Sequence, residues 1–164
     1  GDSITEGIRE SLNKHPDCRW LADSYATSKG LDNPYLISTV RLFMAQEPPH
    51  NAIVFNNGLH GWHLNDEKEY AEHFKNTVAF LRETYPDTPL LLSLCTYLKA
   101  EERNNRVNVR NSVIRAVAGE YKLPVIDLYT VSKNNADLLA GDGVHFTNYR
   151  PLCDEILRQI APFM

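Results

Sequence analysis

The sequence is poor in the features that mark several classes of protein. It has 164 residues and only three cysteines, Cys18, Cys95 and Cys153, which lie far apart. This odd and scattered set predicts neither a disulfide framework nor a cysteine metal site, and we expect three free, mostly buried thiols. The sequence has 17 basic against 21 acidic residues, a net charge of −4, and no basic cluster stands out. We therefore expect no nucleic-acid partner.

Long apolar runs are also absent from the sequence. The longest, at 89–94, is far shorter than the ~18 residues typical of a membrane span, so we expect no insertion into a membrane. The unpaired cysteines slightly favour a cytoplasmic location. The sequence begins with Gly1 instead of Met, and we expect it to be truncated, without its true N-terminus or any signal peptide.

The sequence does contain an alternation of two kinds of apolar segment. Because it has no internal repeat or linker, residues 1–164 are predicted to form a single domain. Short apolar runs bounded by turn residues predict strands at 52–55, 89–95 and 123–128. Apolar residues at three- and four-residue intervals predict helices at 71–81, 107–118 and 152–160. This alternation predicts a parallel sheet covered on both faces, with functional groups at the carboxyl edge of its strands.

Further elements are predicted from the signals at their ends. Asn33 and Pro34 form an N-cap and first-turn pair that predicts another helix. Thr147 is the predicted N-cap of the last helix. We also expect a helix at 17–26 and a weak strand at 25–28.

An Asp-x-x-His pair, Asp142 and His145, follows the last predicted strand. A carboxylate three residues before an imidazole can turn back and accept its Nδ1 hydrogen, which leaves Nε2 free to act as a base. Gly141 and Gly143 allow the tight backbone that this requires. On its own, the pair is more typical of a solvated loop with a capping aspartate.

The first residues of the sequence make this pair informative when the two segments are considered together. Alone, Gly1-Asp2-Ser3 predicts no more than a turn. Together, Gly-Asp-Ser-Ile-Thr-Glu-Gly at 1–7 and Asp-Gly-Val-His-Phe-Thr at 142–147 resemble the two most diagnostic blocks of the SGNH (GDSL-type) hydrolase family. The resemblance extends over essentially the whole chain, because the order of strands and helices also matches.

The resemblance implies both a fold and a set of roles. The implied fold is a three-layer α/β/α sandwich with a parallel, flavodoxin-like sheet. The family has its first strand just before the nucleophile motif, so we expect that strand to be missing here and Ser3 to be held loosely. Ser3 is implied as the nucleophile, His145 as the general base and Asp142 as the residue that orients the base. The Ser3 amide is implied as one donor of the oxyanion hole.

The two other implied oxyanion donors depart from the family pattern. In the second block, Asn33 instead of Gly30 aligns with the backbone donor, although a helix cap explains Asn33 equally well. In the third block, His60 stands where the family has asparagine, and a neutral imidazole can donate one hydrogen bond in its place. An alternative register gives this role to Asn57, and a third alternative is that neither side chain donates.

Residues near the third block are given weaker roles. Trp62 and His63 are predicted to line the substrate pocket, with a core position as the alternative for Trp62. His60 and His63 lack a clear third ligand, so no metal site is predicted. Three arginines have helical spacing: Arg103, Arg106 and Arg110. We expect them to form a solvated helix face, with a site for an acidic substrate group as the less favoured alternative.

These assignments predict a serine esterase that works by two-step acyl transfer without a metal or organic cofactor. The expected partner is a small-molecule ester, and an acetyl group on a carbohydrate is favoured because no long apolar lid segment is present. The alternatives are a lipase or thioesterase with the same triad, and a catalytically weak relative that binds carbohydrate.

Overall fold

The computed structural model describes residues 1–46 and 50–164. Its strands are β1 (Ile53–Phe55), β2 (Leu90–Ser93) and β3 (Val125–Ile126). Its α-helices are α1 (Ser3–Leu12), α2 (Leu36–Met44), α3 (Glu67–Thr84), α4 (Glu101–Tyr121), α5 (Leu128–Asn134) and α6 (Arg150–Ile160). Two 3₁₀ turns, Ala136–Leu138 and Ala161–Phe163, flank the last helix.

The three predicted strands form a parallel sheet in the order β1-β2-β3. All four residues of β2 are buried, and Leu91 and Leu92 are completely inaccessible to solvent. Their continuous apolar run fits a strand that is covered on both faces by helices. The prediction of a parallel α/β fold is confirmed.

The helices predicted from apolar periodicity are confirmed as α3, α4 and α6. The N-caps predicted for α2 and α6 lie two residues too early. Asn33 accepts a hydrogen bond from the Tyr35 amide and forms a turn, so that α2 begins at Leu36. The Thr147 hydroxyl donates to the carbonyl of Leu138 instead of capping α6, which begins at Arg150. In both cases the polar side chain forms a hydrogen bond with a backbone group outside the helix instead of capping the helix itself.

The predictions of a helix at 17–26 and a strand at 25–28 are wrong. This segment has no regular structure and is held by distant groups. The side chain of Asn13 bonds to both the amide and the carbonyl of Ala22 at 2.8 Å. Gly1 donates its amino group to the carbonyl of Tyr25 at 2.9 Å and accepts from the Thr27 amide at 3.0 Å. The backbone of Gly1 is therefore bonded to this segment, and the expected loose hold on Ser3 stays a prediction.

An apolar cavity of about 540 Å³ adjoins β1, α1 and the irregular segment. Ile53 and Ile4 are part of its lining, whereas Ser3, Asp142 and His145 are not. The expectation that the first strand lies outside the sequence stays a prediction.

Within the described residues, no helix combines the length and apolar character needed to cross a membrane. All three cysteines are free, and Cys95 and Cys153 are buried, as predicted.

Candidate active site

Ser3 is placed by the N-terminal cap of α1. The Asp2 carboxylate accepts from the amides of Ile4 and Thr5, at 3.0 and 3.4 Å, while the Thr5 hydroxyl accepts from the Asp2 amide at 3.2 Å. Such a cap stabilises a helix by about 0.5–2 kcal/mol. Ser3 is thus the first residue of α1, at the positive end of the helix dipole. It is exposed, and among the described residues its amide has no acceptor.

Asp142 and His145 lie on a tight loop between the 3₁₀ turn Ala136–Leu138 and α6. Asp142 Oδ1 accepts from the amides of Val144 and His145, at 2.9 and 3.0 Å, which closes the loop on itself. Gly143 has a φ of +68°, and a Cβ there would lie 2.8 Å from Cβ of Lys99. Glycine is therefore required by both backbone conformation and space.

The fold brings Ser3, His145 and Asp142 into one hydrogen-bonded row. Ser3 Oγ lies 2.8 Å from His145 Nε2, and His145 Nδ1 lies 2.6 Å from Asp142 Oδ2. The pKa of Asp142 is lowered to about 2, first by the His145 side chain and then by the two loop amides. The carboxylate is ionised at neutral pH and can only accept, so Nδ1 carries the hydrogen and Nε2 accepts from the serine hydroxyl. An imidazole held in this tautomer can take the hydroxyl proton.

The second and third predicted blocks pack against each other. The Asn57 amide nitrogen donates to the carbonyl of Lys29 at 3.2 Å. Gly30 and Gly61 are in direct backbone contact, since a Cβ on Gly61 would lie 2.7 Å from Gly30 Cα. Gly61 also has a φ of +66°. The two blocks therefore form a single unit of structure.

Within the second block, the structure argues against the prediction for Asn33. The Asn33 amide donates to the carbonyl of Gly30 at 3.1 Å, so this group already has an acceptor inside the turn. The Gly30 amide has no acceptor among the described residues.

Within the third block, Asn57 and His60 occupy different environments. Asn57 is only 3% exposed, and its Oδ1 has no hydrogen-bond partner in residues 1–46 and 50–164. His60 is half-buried, and its ring makes no hydrogen bond within these ranges. The His60 ring thus has no hydrogen-bond partner in the described residues, whereas Asn57 Nδ2 donates one of its two hydrogens to the carbonyl of Lys29.

Trp62 and His63 have protein partners that the sequence did not predict. The Trp62 ring lies against two guanidinium groups, those of Arg106 and Arg110, at 4.8 and 4.5 Å from its centroid. His63 Nε2 lies 2.8 Å from Asp32 Oδ2 at the surface. Substrate contacts by Trp62 and His63 stay predictions. The described residues contain no group of three or more His, Cys, Asp or Glu side chains arranged to hold a metal ion.

Arg110 is the residue that sequence reasoning missed most clearly. Its helical spacing with Arg103 and Arg106 favoured a solvated face, but Arg110 is only 3% exposed. Its guanidinium binds the third block, about 50 positions earlier in the sequence. A spacing pattern within one helix carries no signal for so distant a partner.

Comparison with known proteins gives the fold a family. The model of the GDSL-like lipase/acylhydrolase family matches residues 1–149. The lipase/acylhydrolase from Enterococcus faecalis has a TM-score of 0.71 at 19% identity, with 99% of this chain and 93% of that chain covered. The acetyl xylan esterase AlAXEase has a TM-score of 0.71 at 17% identity, with 96% of each chain covered. The acetylxylan esterase Axe2 from Geobacillus stearothermophilus has a TM-score of 0.61 at 17% identity, with 95% and 78% covered.

A search of curated proteins by sequence finds no match. The parallel α/β fold and the family match together define the chain as a hydrolase. It belongs to the GDSL-like lipase/acylhydrolase family, and it is a carboxylic ester hydrolase.

Proposed function

We propose that this protein is a serine esterase in which Ser3 is the nucleophile, His145 the general base and Asp142 the residue that orients the imidazole. The observation that carries the proposal is the row of short hydrogen bonds from Ser3 Oγ through His145 to Asp142. Asp142 also stabilises the imidazolium that forms when His145 takes the serine proton.

The proposed reaction proceeds through an acyl-enzyme. Ser3 Oγ attacks the ester carbonyl carbon while its proton passes to His145 Nε2. The tetrahedral intermediate collapses, the bond to the alcohol oxygen breaks, and His145 gives its proton to the leaving alcohol. Water then attacks the acyl carbon with the same proton transfers, releasing the acid and restoring Ser3.

The developing oxyanion needs donors beside Ser3. The Ser3 amide is suited to this role because it has no acceptor among the described residues and lies at the positive end of α1. The Gly30 amide replaces Asn33 in our assignment, since only the former has no acceptor in the described residues. The third donor is the His60 ring, which makes no hydrogen bond in the described residues, whereas Asn57 Nδ2 already donates one of its two hydrogens to Lys29.

The proposed substrate is a short acyl ester, with an acetyl group on a carbohydrate as the preferred case. Two structural neighbours are acetyl xylan esterases by name, which supports this class. The apolar cavity supports it as well, because neither Ser3 nor His145 is part of its lining. We therefore expect a long acyl chain bound at Ser3 to lie outside this cavity.

Ser3→Ala tests this proposal directly. We expect turnover of p-nitrophenyl acetate to fall by about 10⁴- to 10⁶-fold, because the nucleophile and its proton are both lost. The matched control is Ser112→Ala, an exposed serine on α4 whose hydroxyl bonds only its own helix, and it should keep full activity. Most activity remaining in Ser3→Ala would contradict the assignment. A preference for long-chain over acetyl esters in the unaltered protein would instead support a lipase.

A further inference from the structure

Arg110 connects α4 to the third block through three strong hydrogen bonds. Its Nη1 donates to the carbonyls of Gly58 and His60, at 2.8 and 2.5 Å, and its Nη2 donates to that of Gly61 at 2.7 Å. The planar guanidinium can reach all three carbonyls because its donors point in fixed, divergent directions. A single side chain thus fixes the backbone on both sides of His60.

Neighbouring side chains extend this pattern along the loop 57–62. The Tyr70 hydroxyl donates to the carbonyl of Asn57 at 3.2 Å, and Arg106 donates to that of Trp62 at 2.6 Å. The carbonyls of this loop are therefore directed towards α3 and α4. By contrast, the amides of residues 59–62 have no acceptor in the parts of the chain that the structure describes.

The energetics of Arg110 show that filling space does not explain it. It is 3% exposed and forms no ion pair with a carboxylate among the described residues. Removing a charge from water costs several kcal/mol, and among the described residues this cost is offset by carbonyls and by the rings of Trp62 and Tyr70. Burial lowers the pKa of Arg110. A hydrophobic side chain would fill the same volume without this cost, so the reason for an arginine lies in the carbonyls it binds.

We propose that Arg110 is a positioning residue that holds the loop 57–62 so that the His60 ring can donate to the oxyanion formed at Ser3. This inference rests on the proposed function. We assign Arg110 no contact with the reacting atoms, because both of its terminal nitrogens donate to the backbone of the loop. Its removal should therefore impair the transition state more than the binding of substrate.

Arg110→Lys is the informative substitution, because an ammonium keeps the charge but cannot span three carbonyls as a planar fork does. Active sites are counted by the stoichiometric release of p-nitrophenol from a phosphonate ester, and kcat per active site is then measured with p-nitrophenyl acetate. We expect kcat per active site to fall about 10- to 100-fold with little change in KM, since a misplacement of about 1 Å costs this much. Arg115→Lys is the matched control on the same helix. Arg115 forms an exposed pair with Asp127 at 2.7 Å, so its variant should match the unaltered enzyme.

The two measurements separate positioning from stability. A purely structural role for Arg110 would reduce the number of active sites and leave kcat per active site unchanged, and that result would overturn the inference. Should Arg110→Lys fail to fold, Arg106→Lys provides the second test, because Arg106 holds the Trp62 carbonyl of the same loop. We expect a smaller loss of kcat per active site from it, and no loss would also overturn the inference.

Comparison of the unaltered enzyme with Ser3→Ala distinguishes a failure of this inference from a failure of the proposed function. Turnover that does not depend on Ser3 would overturn both. Ser3-dependent turnover together with a normal kcat per active site in Arg110→Lys would overturn only the positioning role.

Discussion

Gly58→Ala tests the packing that supports the third block. A Cβ on Gly58 would lie only 1.6 Å from Sγ of Cys95, where a normal contact is about 3.5–4 Å. The backbone that carries this sulfur is not free to move away. Cys95 is completely buried, and both its amide and its carbonyl are bound by the side chain of Asn111, at 2.8 and 3.1 Å. The loop and β2 must therefore separate by roughly 2 Å, and we expect a loss of about 3 kcal/mol in the free energy of unfolding.

A double-mutant cycle isolates this contact. Cys95→Ala removes the sulfur and leaves a small cavity, with an expected cost of about 1 kcal/mol. In the double variant the new Cβ faces Cβ of residue 95 at 3.3 Å and Asn56 Oδ1 at 3.9 Å, so most of the strain from Gly58→Ala should disappear. The two substitutions should thus be coupled by about 2–3 kcal/mol.

Urea unfolding followed by tryptophan fluorescence provides the assay for all four proteins of the cycle. Gly119→Ala is the control, because a Cβ there meets nothing within 4 Å. It lies inside α4, where alanine is favoured over glycine by up to about 1 kcal/mol, so this variant should be neutral or more stable. If the losses in free energy of unfolding from Gly58→Ala and Cys95→Ala simply add in the double variant, the proposed clash between the two side chains is refuted.

Two further predictions concern the loop of Asp142 and His145. The pKa of Asp142, about 2, is lowered mainly by His145, so its stabilising effect is present at neutral pH and is lost only as the pH falls below about 4 towards 2. The pH profile of kcat/KM between about pH 4 and 8 should therefore show no limb from the titration of Asp142, and a limb centred near pH 4 would contradict this. Gly143→Ala should lower the free energy of unfolding by about 2–3 kcal/mol and also reduce kcat, because a Cβ is strained at φ +68° and meets Lys99. Gly141→Ala, which meets nothing within 4 Å, is its control in the same urea assay, and an equal loss there would refute the reasoning.

The regular elements could be predicted because their signals are local. Strand β2 and helices α3 and α4 each carry their own apolar pattern, and the sheet follows from their alternation. The segment 17–28 could not be predicted. Its conformation depends on Asn13 and on the backbone of Gly1, which no periodicity within the segment reveals.

The candidate site was predictable to a similarly uneven extent. The contact between Asp142 and His145 follows from a three-residue spacing, whereas Ser3 and His145 are 142 positions apart and were joined only by family resemblance. The donors of the oxyanion hole depend on which backbone amides are already hydrogen-bonded within a turn. The turn at Gly30 and Asn33 therefore became clear only from its hydrogen bonds.

The account depends most on Ser3 as the nucleophile, and covalent labelling tests this most directly. The full-length chain is treated with a p-nitrophenyl phosphonate ester, and the modified peptide is identified by mass spectrometry. We predict one label per molecule, on Ser3, because its hydroxyl alone shares a hydrogen bond with the His145 imidazole in the described residues. A label on another residue, or undiminished labelling of Ser3→Ala, would contradict the account.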